Sequence, residues 1–252
     1  MAASLANNRS VARQVTLTAI ALVALVLVLV GLAIAVLTER STRALVASSV
    51  GDTAQSVAQS LDAADNTNRE LVQLTMKGFQ RYFEATMQLD EASGELRSYG
   101  ALVNEDYGSV DKFASETGGI ATVFAKKGDD FVRITTSVKN EQGARQQGTP
   151  LGKDDPAYAT VSKGEPYTGV IVAGGKPYMG HYLPAKDASG KVIALLFIGN
   201  DISVFHAMLQ KQVAQTKFFE HGGTYVINPG TSLDKAVFVY HPTARGKRVL
   251  EA

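Results

Sequence analysis

The chain has 252 residues, 25 basic against 24 acidic side chains, and is 45% hydrophobic. That length suits one or two domains with a real core. So even a charge balance lacks the basic face of a nucleic-acid binder, and the absence of cysteine excludes zinc fingers, thiol nucleophiles and disulfides.

Residues 15–37, VTLTAIALVALVLVLVGLAIAVL, contain no charge. At about 1.5 Å per helical residue such a run crosses a hydrocarbon core of about 30 Å. Soluble core helices are seldom apolar on every face for that length. The run predicts a transmembrane helix in contact with membrane lipid. Arg9 and Arg13 precede it, while Glu39, Arg40 and Arg43 follow. The basic residues nearly balance, and the N-terminal amino charge tips the topology. Residues 1–14 are expected to be a cytoplasmic tail, with the remainder beyond the cytoplasm. A cleaved signal peptide is the alternative, because Ala33-Ile34-Ala35 has the small-x-small pattern of a cleavage site. Against it, the apolar run continues through Val36 and Leu37 and is long for a signal sequence.

Residues 38–92 predict a long stalk helix. Val50, Ala54, Val57, Leu61, Ala64, Asn68, Leu71 and Thr75 recur at a spacing close to the coiled-coil period. Such a stripe needs a partner: a second copy of the chain, giving a homodimer through the stalk, or the domain that follows. Asn68 either fixes dimer register or faces solvent.

After Gly94 the period shifts towards two, and strands are expected at 120–125, 131–138, 167–173, 178–185 and 191–199. Lys126-Lys127-Gly128-Asp129, Gly174-Gly175 and Asp187-Ala188-Ser189-Gly190 are short turns that imply antiparallel neighbours. Segment 139–166 is expected to hold a short helix at 156–162, started by Asp154 or Asp155 with Pro156 in its first turn. The wholly apolar run 192–198 reads as a central strand covered on both faces. A connecting helix is expected over 203–221. A hairpin of 224–228 and 236–240 follows, which either joins the first sheet or opens another module, since two strands alone bury no core.

The motifs F-x-R-x-T-T-S from Phe131, G-x-R-x-x-G-T from Gly143, G-x-x-Y-x-G from Gly175 and Y-x-P-x-x-D-x-x-G-K-V-I from Tyr182 resemble the Cache domains of bacterial chemoreceptors, most closely the fused Cache 3/Cache 2 type. The resemblance covers residues 40–252. Tyr225, His241, Pro242 and Gly246 stand where the family's second module opens. It implies an α+β fold: a transmembrane helix continuing into the stalk, a PAS-like antiparallel five-stranded sheet over residues 93–202, a connecting helix over 203–221 and the start of a second module over 222–252. It also implies a periplasmic sensor on the bacterial inner membrane, binding a small organic acid or amino acid, with chemotaxis as output. A histidine kinase or diguanylate cyclase receptor, and a tethered binding module without output, are the alternatives. Such receptors continue into further segments that these residues lack, so a piece of a longer receptor or a shortened reading frame is expected.

Alternation puts Phe131, Arg133 and Thr135 on one strand face and Val132, Ile134 and Thr136 on the other. If the first face lines a pocket, Arg133 offers a carboxylate a planar fork of donors and Thr135 adds a hydroxyl. Otherwise Arg133 caps the sheet edge or pairs with Asp129 or Asp130. Arg145 sits in a polar segment, either on the surface or folded over the ligand. Tyr178, Gly180 and Tyr182 share a face, as pocket wall or as core, and His181 points the opposite way. The histidines 181, 206, 221 and 241 lack metal-ligand spacing, and no phosphate loop or nucleophile elbow occurs. No metal, cofactor or catalytic activity is expected.

Overall fold

The computed structural model describes residues 3–218, 222–230, 232–241 and 243–251. It divides into two units, Met1–Ala58 and Gln59–Ala252. Helix α1, Ala3–Gln80, supplies the described structure of the first unit and opens the second.

In the first unit every large apolar side chain from Val15 to Leu37 is exposed, and mean hydropathy reaches 3.3 over an 18-residue window. Length and composition therefore allow this helix to cross a bilayer. Its few polar groups are satisfied within the helix: the Thr18 hydroxyl donates to Gln14 O at 3.0 Å, as hydrocarbon requires of polar atoms.

In the second unit α1 buries Val72, Met76 and Phe79. The following domain covers one side of this helix, and the expected stripe lies largely along it: Leu61, Ala64, Asn68 and Thr75 are half-buried. Leu71 is 50% exposed, and Asn68 Nδ2 donates to Ala64 O within its own helix. The helix stops at Gln80, short of the expected 92. Phe79, Phe83 and Met87 all turn into the core, and Arg81, Tyr82 and Phe83 tighten into turns that bond back three residues. A three-stranded meander follows, β1 (Gln88–Asp90), β2 (Glu95–Ser98) and β3 (Ala101–Leu102). Helix α2 (Gly108–Thr117) then buries Val110 and Phe113.

The central sheet is five-stranded and antiparallel throughout. Its strands are β4 (Ile120–Lys127), β5 (Asp130–Thr136), β6 (Tyr167–Ala173), β7 (Lys176–Lys186) and β8 (Val192–Asp201), in spatial order β5-β4-β8-β7-β6. Short turns join neighbours as expected. Gly174 and Gly175 link β6 to β7 with φ of 55° and 74°, a left-handed conformation that glycine adopts without a Cβ clash. Between β5 and β6 lies α3 (Tyr158–Val161), and the Asp155 carboxylate accepts the Ala157 amide at its start. The apolar run of β8 is buried from Ile193 to Ile198, so both faces of the sheet are covered.

Residues 148–151 strap the outer margin of β5: Arg133 N donates to Thr149 O, Gly148 N to Arg133 O and Leu151 N to Phe131 O. On the opposite margin β6 ends the sheet. Helix α4 (Ser203–Gln215) leads into β9 (Lys217–Phe218) and β10 (Gly222–Gly223). The hairpin of β11 (Val226–Asn228) and β12 (Val237–Tyr240) forms its own two-stranded sheet and does not join the five-stranded one. The His206 ring of α4 lies 6.0 Å from that of Tyr240. His221 and Pro242 lie outside the described residues.

Candidate functional site

The two faces of the sheet bury separate clusters. Towards α1 and α2 it presents Ala121, Val123, Ala194, Leu196 and Ile198. On the other side Phe124, Phe131, Tyr182, Leu195 and Phe197 lie with Leu151, Ala157 and Val161 of the strap and α3 segment. This second, loop-covered face carries the charged and hydroxyl groups of interest.

Arg133 belongs to it. Its register partner is Phe124, and its guanidinium carbon stands 5.1 Å from the centre of that ring. Such a stacked cation gains from the ring's quadrupole. One guanidinium nitrogen donates to Thr149 Oγ1 at 2.6 Å. Among the described residues neither Asp129 nor Asp130 pairs with it. Burial pulls its pKa down, opposed by the negative character of Tyr182 and Asp155, yet guanidinium stays charged throughout the accessible range.

Tyr182 lies on the same face, 3% exposed. Its ring is 4.4 Å from Phe197 and 6.3 Å from both Phe124 and Tyr167. Burial first, and the Asp155 charge second, push the phenol pKa up, while Arg133 opposes them. The ring is packed on all these sides, but its hydroxyl has no hydrogen-bond partner among the described residues.

Thr135 does not join this group. A register shift between Val123 and Phe124 sets Thr135 opposite Val123 and Arg133 opposite Phe124. Ile134 is the extra residue of a β-bulge, which breaks the alternation that would align positions 133 and 135. Thr135 therefore faces the helices, fully buried, with its hydroxyl donating to Asp106 O at 2.8 Å. Tyr178 shares the face of Tyr182 but is paired with Asp201 further along β7; it is buried, and that burial raises its pKa. His181 points to the helix side, its Nδ1 2.7 Å from Thr168 Oγ1.

Arg145 is turned away from Arg133. It forms a two-pronged ion pair with Asp111 of α2, 2.7 Å on each prong, and also donates to Thr136 O at 2.7 Å. Its guanidinium stacks 4.1 Å from the Tyr107 ring centre. The pair holds Asp111 below the usual carboxylate range and raises the Arg145 pKa.

Sequence reasoning missed Phe124, Thr149, Asp155 and Tyr167 as neighbours of the site. For Tyr167 a signal existed. It alternates with Gly169 and Ile171, and a Cβ on Gly169 would stand 2.6 Å from the Tyr167 hydroxyl, so the glycine makes room for the ring. A separate cleft of about 420 Å³ opens on the helix side, lined by Phe83, Met87 and Leu183, away from Arg133.

The loop-covered face thus joins a fork of cationic donors to a free phenolic hydroxyl above an aromatic floor. Donors of this kind suit an anion with planar oxygens. Residues 36–252 match the family model described as the Cache 3/Cache 2 fusion domain. A search of the curated proteins finds no match.

Proposed function

The chain belongs to the Cache 3/Cache 2 fusion domain family, whose Cache domains are extracytoplasmic small-molecule sensors, and from that premise we propose that it binds an organic acid or amino acid through Arg133 and Tyr182. The observation that carries this reading is one pairing. A guanidinium stacked on Phe124 and bonded to Thr149 stands on the same face as Tyr182, whose ring is buried and whose hydroxyl makes no hydrogen bond among the described residues. A carboxylate would take the guanidinium fork, and the Tyr182 hydroxyl would donate to the same or a neighbouring oxygen. Charge-assisted bonds of this kind contribute about 1.5–3 kcal/mol each. One or two of them, with apolar contact on Phe124 and Phe197, give micromolar binding once association costs are met.

The role is binding; arginine and tyrosine here supply donors and no activated nucleophile. Signalling would be a shift between two packings of sheet and helix, and a ligand moves that equilibrium only by favouring one of them. A direct tie between the two exists at Arg69 of α1, which donates to Thr168 O of β6 at 2.7 Å. We assign the sensor to a chemoreceptor, acting as a homodimer with its N-terminus in the cytoplasm. That assignment follows the likeness of its motifs to those receptors.

The test is a thermal-shift screen of the full chain in detergent against organic acids and amino acids, repeated with Arg133→Ala and Arg133→Lys. A carboxylate should stabilise the parent chain and neither variant, because lysine keeps the charge but loses the fork. Stabilisation that survives Arg133→Ala removes this residue from the site. Failure of every compound in the panel overturns the binding assignment.

A further inference from the structure

The contacts of Arg145 reach further than a surface ion pair. Thr149, the partner of Arg133, donates its own hydroxyl to Gln146 O at 2.8 Å. Gln146 N in turn donates to Val138 O, bending segment 138–149 back upon β5. The next residue, Gln147, receives the Tyr107 hydroxyl and donates to Glu105 at 3.1 Å. Arg145 closes the arrangement by gripping Asp111 and stacking on Tyr107. Strap and helix α2 are thus bound by groups from both sides. Helix α2 in turn touches α1: Phe113 follows Asp111 on α2, and its ring lies 5.4 Å from that of Phe79.

A bidentate arginine–carboxylate pair is directional as well as attractive. Arg145 is only 21% exposed, and its third bond, to Thr136 O, fixes it to the sheet. This geometry is over-determined for a solvated charge. We infer that Arg145, clamped by Asp111, is a positioning residue: it sets the strap that orients Arg133, and it makes that setting depend on where α2 and Phe79 sit. The inference rests on the reading of Arg133 as a ligand-contacting group. The clamp holds the donor fork ready only while α2 is docked, so a displacement of α1 reaches the site and occupation of the site reaches α1. Such reciprocity is required of any coupling between a binding site and a distant element.

The test needs no ligand, so its failure leaves the ligand screen above standing on its own. The full chain in lipid nanodiscs is labelled with phenylglyoxal, and the rate of modification at Arg133 is read by mass spectrometry, with amide hydrogen exchange measured alongside. Asp111→Ala and Asp111→Asn should speed Arg133 labelling about tenfold or more, since the alanine removes both charge-assisted hydrogen bonds of the pair and losing even one is worth about that factor. They should also hasten exchange at residues 148–151 and around Phe79. Asp111→Glu, which retains the carboxylate, should restore slow labelling. Glu95→Ala, which removes another surface ion pair with Arg97, should change nothing at Arg133. Unchanged labelling in Asp111→Ala overturns the inference. So does faster labelling accompanied by faster exchange across β8, since that would report general loosening of the fold.

Discussion

One sheet, two faces: towards the helices it is built from Ala121, Val123, Ala194, Leu196 and Ile198, and towards the strap from Phe124, Phe131, Tyr182 and Phe197 with Arg133 at their rim. Small and branched aliphatic side chains let α1 lie close and exclude water, with Thr135 and His181 each given a hydrogen-bond partner. Among the described residues the strap face instead keeps one cation incompletely paired and one phenolic hydroxyl without a hydrogen bond. The difference teaches where stability and recognition are separated in this fold. Adjacent residues of β7, Tyr182 and Leu183, face one each, and the proposed site lies on the Tyr182 side.

The sharpest way to break that comparison is Phe79→Ala. Its ring contacts those of Tyr82, Phe83 and Phe113, and its loss should cost about 3–5 kcal/mol in urea unfolding of the full chain. A cost below about 1 kcal/mol would show that the helix face is not the stabilising one. On the strap face, Arg133→Ala should leave that unfolding midpoint nearly unchanged while weakening binding of a carboxylate found in the screen by about tenfold to a hundredfold. A smaller effect is expected at Gly199→Ala, where a Cβ would stand 2.9 Å from Ile120 Cγ1. Overpacking there should destabilise by about 1–3 kcal/mol, measured in the same unfolding series. The smallest is a pH effect. Burial holds the His181 pKa below its ordinary value, so the unfolded chain takes up the proton first. The stability is complete above about pH 6.5, the ordinary histidine value, and declines as pH falls. Melting temperature should drop on acidification, and His181→Gln should flatten that drop. The remaining slope belongs to His206, shifted the same way by burial and Arg245 against the pull of Asp65, and at lower pH to carboxylates such as Asp111 that are held below their ordinary range. An identical slope in His181→Gln would remove His181 as a cause.

Much of the sheet was legible because its turns are chemically explicit. Gly174-Gly175 and Asp187 to Gly190 permit few conformations, and the expected 167–173 strand matches β6 residue for residue. The apolar run of β8 needed only its length and composition. The stalk end was not legible. Residues after Gln80 keep apolar spacing through Phe83 and Met87, so the sequence continues to look helical where the core pulls the chain into turns. Strands as short as Ala101–Leu102 carry no alternation to detect. Helix α2 did leave traces, with Val110 and Phe113 three apart and Gly118 at its end in a left-handed conformation of φ 70°, but its span is brief. At the site, Arg133 stood out as a charge in a strand, whereas the bulge at Ile134 has no sequence mark, and so Thr135 was assigned to the wrong face. Arg145 was visible as a motif residue; its partner Asp111 lies on a separate element, and only the folded chain brings them together.

The strapping of β5 has a consequence for self-association. A sheet with two open margins can add copies indefinitely, as fibres do. Here residues 148–151 already occupy one margin, leaving β6 as the open one among the described residues, with Val172 73% exposed. Any edge-to-edge stacking of this domain would therefore be self-limiting, closing after two molecules rather than growing into a filament.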